Sequence, residues 1–141
     1  MKDEEKETLL GEIGEVLATY PQIELGYVHG SFVGRRYFRD IDIAVNLSEP
    51  SLQSYESFRF AMRVGTDVEK AIQPRYEADV KILNGSPIAF QFEVIKKGRL
   101  VYVRSEVNRI RYVARVLSEY QDYKPVLDWF DASFLAREVK W

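Results

Sequence analysis

"HGSFVGRRYFRDIDIAVNL", residues 29–47, is the stretch on which the fold turns. Its second half alternates. Ile41, Ile43 and Val45 fall on one face and Asp40, Asp42 and Ala44 on the other, the period-two pattern of a half-buried strand. Its first half carries a Gly-Ser pair, Gly30 and Ser31, followed by Arg35, Arg36 and Arg39. Residues two apart on a strand share a face, so Asp40 and Asp42 stand side by side. Their mutual repulsion is tolerable at an open, wet sheet face or with a divalent cation between them; buried and unpaired, one would have to take up a proton.

The flanking sequence supplies the other elements. Leu9, Leu10, Ile13, Val16 and Leu17 recur at helical spacing, and Tyr20-Pro21 ends that helix. "IELGYVHG" reads as a short strand running into a glycine turn. Leu52, Tyr55, Phe58, Met62, Val68 and Ile72 suit a second helix, weakened at Gly65, where glycine costs about 1 kcal/mol relative to alanine. "YEADVKIL" alternates again, with Ala78, Val80 and Ile82 on one side and Asp79 and Lys81 on the other. A helix from Pro87 to Lys97 and the strand "RLVYV" follow. From Ser105 the chain is helical, with one stripe of Val107, Ile110, Val113, Leu117 and Tyr120 and another of Val126, Trp129, Phe130 and Phe134; Pro125 separates two helices or kinks one. "RSEVNRIRYVARV" reads as a solvated helix face. The expectation is one α/β (α+β) domain over residues 1–141, a small mixed sheet of about four strands covered by helices on one face, with a C-terminal helical segment at 105–141.

If the strands bearing Asp40, Asp42 and Asp79 are neighbours, three carboxylates converge on one exposed surface. Oxygen ligands without histidine or cysteine suit magnesium or manganese, and magnesium commonly completes its shell with water and substrate phosphates. A phosphate cradle is then expected nearby. Gly30 allows close backbone approach, Ser31 offers a hydroxyl, and the three arginines add positive charge. Each part alone is ordinary: Asp-x-Asp pairs are usually solvated strand ends, Gly-Ser is usually a turn, and arginine runs usually face water. It is their combination that is specific. A calcium loop is excluded, since position 44 is alanine and no glycine stands at the sixth place. His29 reads as a packed, hydrogen-bonded side chain placed to permit a nucleotide contact, and the aromatic group of Tyr120, Tyr123, Trp129, Phe130 and Phe134 as core.

Gly30, Ser31, Asp40, Asp42 and Asp79 together resemble the signature of the DNA polymerase beta-type nucleotidyltransferases, a Gly-Ser turn followed by Asp-x-Asp and a third acidic residue on a later strand. "ADVKILN", "GRLVYV" and the proline-broken "EYQDYKPVLDWFDASFL" are similar to the minimal nucleotidyltransferases, the MntA-type antitoxins of HEPN toxin modules. The Ser31-to-Asp40 connection is shorter than usual, with Val33 before Gly34 and Arg39 before Asp40. The resemblance implies transfer of AMP from ATP to a hydroxyl, a tyrosine of a HEPN-domain toxin partner. It implies two Mg²⁺ ions held by Asp40, Asp42 and Asp79, with Asp79 also able to accept the proton, and terminal phosphates bound at Gly30 and Ser31. Other acceptors, such as an aminoglycoside, and a non-catalytic antitoxin that acts by binding remain open. A sugar-nucleotide transferase is disfavoured, because those domains are longer and need no Gly-Ser turn so close upstream.

Composition sets limits. A net charge of −2 argues against a general nucleic-acid binder. The absence of cysteine excludes disulfides and thiolate metal sites, and a single histidine, His29, makes a histidine-built zinc site implausible. No apolar run approaches the roughly 20 residues of a membrane span, and "MKDEEKETLL" lacks a signal-peptide pattern, so no membrane partner and a cytoplasmic location are expected.

Overall fold

The computed structural model describes residues 2–34, 40–48, 54–73 and 76–138. In chain order the elements are α1 (Asp3–Ala18), β1 (Ile23–His29), the single turn α2 (Ser31–Gly34), β2 (Asp40–Leu47), α3 (Ser54–Ala71), β3 (Glu77–Ile82), α4 (Ile88–Lys97), β4 (Arg99–Val103) and α5 (Glu106–Glu138). They form an α+β fold around a mixed, open four-stranded sheet of order β3-β2-β1-β4. β1 runs antiparallel to β2 and to β4, whereas β2 and β3 are parallel. Parallel neighbours cannot be joined by a tight turn, so α3 serves as their crossover.

Strand alternation sorts the sheet into two faces. Val28, Ile41, Ile43, Val45 and Val80 meet Leu9, Leu10, Ile13 and Leu17 of α1 and Phe60, Val64 and Val68 of α3 in the principal core. The other face carries a smaller cluster that the sequence pattern did not announce: Leu25, Tyr27 and Ala44 pack with Leu83, Val94 of α4, and Tyr112 and Val116 of α5. Gln91, the one buried polar side chain among the described residues, is bonded at both amide atoms. Gln91 Nε2 donates to the Ser86 carbonyl at 2.7 Å, and the Tyr112 hydroxyl donates to Gln91 Oε1 at 2.8 Å. Asn84 brackets Leu47, accepting from its N–H at 2.7 Å and donating to its carbonyl at 3.0 Å, which carries the pairing beyond the end of β3.

Two helices differ in phase from the sequence reading. On α3 the buried row is Phe60, Val64, Val68 and, just past its end, Ile72, while Tyr55, Phe58 and Met62 are exposed. On α5 the buried residues among those described are Tyr112 and Val116, with Val113 packed beside them, and Val107, Ile110 and Leu117 face outward. "RSEVNRIRYVARV" therefore contains part of the second core rather than a wholly solvated face. Both helices carry apolar residues on more than one side, so spacing alone admits two phases and the sheet selects one. Pro125 sits inside one continuous α5 rather than between two helices. Trp129 is exposed, and Leu52 and the side chains of Val126, Phe130 and Phe134 lie outside the described residues. Among the described residues, no helix is long and apolar enough to cross a membrane.

Gly65, the weak point of α3 as a sequence, is what lets the helix lie close to β3. A Cβ built there would stand 3.1 Å from the Ala78 carbonyl oxygen. Gly65→Val adds a branched side chain at that contact and gains only a few tenths of a kcal/mol in helix propensity. A net loss of about 1–3 kcal/mol, the usual cost of overpacking, is expected in the unfolding free energy from urea denaturation, read as a lower midpoint.

Candidate active site

β1 delivers the chain to a turn at the sheet end. Gly30 adopts φ +75°, in the left-handed region where glycine is favoured, and its carbonyl accepts from the Val33 N–H at 3.2 Å as α2 begins. The absent side chain at Gly30 has a second consequence: a Cβ built there would overlap the Asp42 carboxylate. The turn thus lies directly against Asp42. On its other side, Lys6 of α1 donates to the Phe32 carbonyl at 2.9 Å, tying the turn to α1.

Register assembles the rest. His29 pairs with Asp42 across β1 and β2, Asp42 pairs with Asp79 across β2 and β3, and Asp40 pairs with Glu77. Paired residues on neighbouring strands lie about 4.8 Å apart and share a face, so Asp40, Asp42 and Asp79 stand on one face at one end of the sheet. Asp40 and Asp79 are exposed and Asp42 is half-buried. Two groups absent from the expected site join them. Glu77 adds a fourth carboxylate, and Lys81 approaches Asp79 Oδ2 at 4.0 Å while its Nζ lies 5.6 Å from the Phe90 ring centroid. The same alternation that placed Asp79 also placed both, so the signal was present in "EADVK". Arg35, Arg36 and Arg39, expected to add positive charge, lie outside the described residues.

His29 departs from its sequence reading. It is packed, edge-on to Phe90 of α4 at 5.6 Å, but its buried Nε2 has no hydrogen-bond partner among the described residues. Burial holds the imidazole below its usual pKa, opposed by the nearby Asp42 charge, reinforced by Lys81 and opposed again by Asp79. The folded state thus binds fewer protons at this position than the unfolded chain. Stability on this account is full above about pH 6.5, the unfolded value, and declines as pH falls below it. His29→Gln is expected to flatten the change in urea midpoint between pH 7.5 and 5.5; an unchanged slope would discount the imidazole as its source.

Among the described residues, no three histidine, cysteine or carboxylate side chains are gathered tightly enough to ligate one ion by themselves. The donor set nonetheless fits magnesium. It offers carboxylate oxygens, from Asp42 and Asp79 in one row with Asp40 beside them, at the exposed end of the sheet. A partial protein shell of this kind leaves positions for water and substrate phosphate, the arrangement magnesium favours. The glycine turn lies directly against the Asp42 carboxylate, at the same end of the sheet.

A mixed sheet with acidic residues and a glycine turn at one end is the frame of a nucleotidyltransferase. The chain belongs to the family described as "Polymerase beta, Nucleotidyltransferase", which matches residues 11–107 and so includes every candidate site residue while leaving most of α5 outside the match. Solved structures agree on the fold. One chain of a tri-AMPylated Shewanella oneidensis HEPN toxin in complex with MNT antitoxin is 17% identical, with a TM-score of 0.69 over 92% of this chain and 98% of that one. A chain of the toxin-antitoxin MntA-HepT is 16% identical, with a TM-score of 0.68 over 92% and 98%. A chain from a toxin-antitoxin structure with AMP-PNP is 18% identical, with a TM-score of 0.70 over 89% and 98%. No curated protein sequence matches significantly.

Proposed function

We propose that this nucleotidyltransferase transfers AMP from ATP to a tyrosine hydroxyl of a HEPN-domain toxin in the cytoplasm, silencing it as the antitoxin of a pair. The observation that carries the proposal is the row formed by the Gly30 turn, Asp42 and Asp79 across three adjacent strands. A glycine turn of this kind, set directly against carboxylates suited to magnesium, supports phosphate binding at that end of the sheet. The likeness to chains from complexes that contain a HEPN toxin, an MNT antitoxin and, in one case, an ATP analogue supports the choice of acceptor and nucleotide.

In this reading Asp40, Asp42 and Asp79 hold Mg²⁺, which when bound neutralises phosphate charge and stabilises the attacking and leaving oxygens. Gly30 and Ser31 position the terminal phosphates. The acceptor oxygen forms a bond to the α-phosphorus as the bond from that phosphorus to the bridging oxygen breaks, pyrophosphate departs, and the phenolic proton passes to Asp79. The test is intact-mass analysis of a co-purified HEPN-domain protein after incubation with ATP and Mg²⁺, with and without EDTA. Stepwise AMP additions that vanish with EDTA are expected. An unmodified partner whose RNase activity is nevertheless blocked would instead mark an antitoxin that acts by binding alone.

A further inference from the structure

Lys81 stands beside the carboxylates without a role in the fold. It lies two residues beyond Asp79 on β3 and so shares its face, opposite Ala44 of β2. Its Nζ approaches Asp79 Oδ2 at 4.0 Å, the outer limit of an ion pair, and lies 5.6 Å from the Phe90 ring centroid. Among the described residues Nζ donates no hydrogen bond, and Lys81 is the one cation that pairs with Asp40, Asp42 or Asp79. The side chain is 54% exposed, so burial does not account for a lysine here either.

Phe90 of α4 fixes where this charge sits. The ring packs edge-on to His29 at 5.6 Å and also lies beneath the Lys81 ammonium, so one aromatic side chain spans from the β1 side of the acidic row to its β3 side. A cation over a ring face is held there by the ring quadrupole. That contact uses none of its N–H donors on an oxygen. The row itself has a direction: the Gly30 turn follows β1, Asp42 lies on β2, and Asp79 and Lys81 lie on β3, neighbouring strands being about 4.8 Å apart. With terminal phosphates at the turn and Mg²⁺ at the carboxylates, the phosphorus that reacts falls toward β3. Lys81 is the described cation on that side, and an ammonium binds phosphate oxygen as a point charge.

We propose that Lys81 donates to a nonbridging oxygen on the α-phosphorus of the bound nucleotide. There it stabilises the negative charge that builds as the bond from the acceptor oxygen forms and the bond to the departing pyrophosphate breaks; Lys81 keeps its own proton throughout. The proposal rests on the nucleotide site and AMP transfer proposed above, and its test separates the two. Binding is measured first, on the chain alone, with Mg²⁺ and α,β-methylene ATP, which cannot transfer AMP. Lys81→Met should raise the Kd about tenfold, the order expected for a lost charge-assisted hydrogen bond, and Lys81→Arg should recover part of it. Lys124→Met, the same loss of charge at an exposed position of α5, should bind as the parent does. In labelling assays Lys81→Met should lower kcat at least tenfold. It should also change the ratio of rates with the Rp and Sp isomers of ATPαS, because a group touching one α-oxygen senses which of the two is sulfur.

An unchanged or tightened Kd in Lys81→Met overturns the contact and reduces Lys81 to a counter-ion of Asp79. Equal weakening in Lys124→Met overturns it too, by making the effect one of net charge. Transfer that proceeds in Lys81→Met with the isomer ratio of the parent removes Lys81 from the α-phosphate and leaves the transfer function standing. Absence of any transfer alongside Lys81-dependent binding of α,β-methylene ATP does the reverse: it removes the HEPN acceptor and supports the contact. A parent chain that binds no α,β-methylene ATP overturns both.

Discussion

Asp42→Asn is expected to lower ATP-dependent labelling of a HEPN-domain protein by more than about 100-fold, the upper end of what even outer-shell changes cost at metal sites, while thermal stability stays the same or rises. The two outcomes have one cause. Asparagine keeps the size and shape of the side chain, so the space beside Gly30 where no Cβ fits remains filled. It removes one negative charge from a half-buried position facing Asp79 in the adjacent strand, relieving a repulsion that folding has to overcome. What disappears is the charge needed to hold a divalent cation. Intact-mass labelling and a thermal melt on one preparation measure both, and labelling within tenfold of the parent would remove Asp42 from the machinery. Asp79→Asn separates the contributions further. Asp79 is exposed and its Lys81 partner stands at the 4.0 Å limit of an ion pair, so its stability should move by less than about 0.5 kcal/mol.

Strands were more legible than helices, for a geometric reason. A strand has two faces, and "DIDIAVNL" assigns every residue to one of them without ambiguity, so Ile41, Ile43 and Val45 enter the core as their spacing requires. A helix presents a continuous surface. The row of Tyr55, Phe58 and Met62 on α3, and of Val107, Ile110 and Leu117 on α5, satisfy helical spacing as well as the rows that are buried. Which row turns inward depends on where the sheet lies, and no local pattern contains that information. Pro125 shows a related limit: it removes one backbone donor, yet the residues on either side continue as one helix.

At the candidate site the sequence supplied the residue types and the strands supplied their arrangement. Alternation put Asp40 with Asp42 and Asp79 with Lys81, but only the parallel register of β2 and β3 sets Asp42 opposite Asp79 and brings Glu77 to Asp40. The environment of His29 depends on α4, which reaches it from some sixty positions later in the chain through Phe90. Nothing within "YVHGS" announces that neighbour, so a hydrogen-bonded imidazole was the natural expectation, and an Nε2 without a hydrogen-bond partner among the described residues is the outcome.

Gly30→Ala is expected to act on fold and chemistry together, in contrast to Asp42→Asn. At φ +75° an L-side chain costs about 1–2 kcal/mol in backbone energy, and the added Cβ overlaps the Asp42 carboxylate. The conflict is resolved by moving the turn, the carboxylate, or both. A displacement of about 1 Å in a reacting constellation can reduce the rate roughly 100-fold, and a shifted turn also weakens its hold on terminal phosphates. The variant should therefore unfold at lower urea, label its acceptor roughly 100-fold more slowly, and show a raised KM for ATP. Gly30→Asn separates the two causes, because asparagine tolerates the left-handed region better than other non-glycine residues but still brings a Cβ. It should recover part of the lost stability and little of the lost rate. If Gly30→Asn instead restored labelling to the parent level, backbone conformation alone would explain the glycine, and the contact between the turn and Asp42 would have no part in positioning the carboxylate.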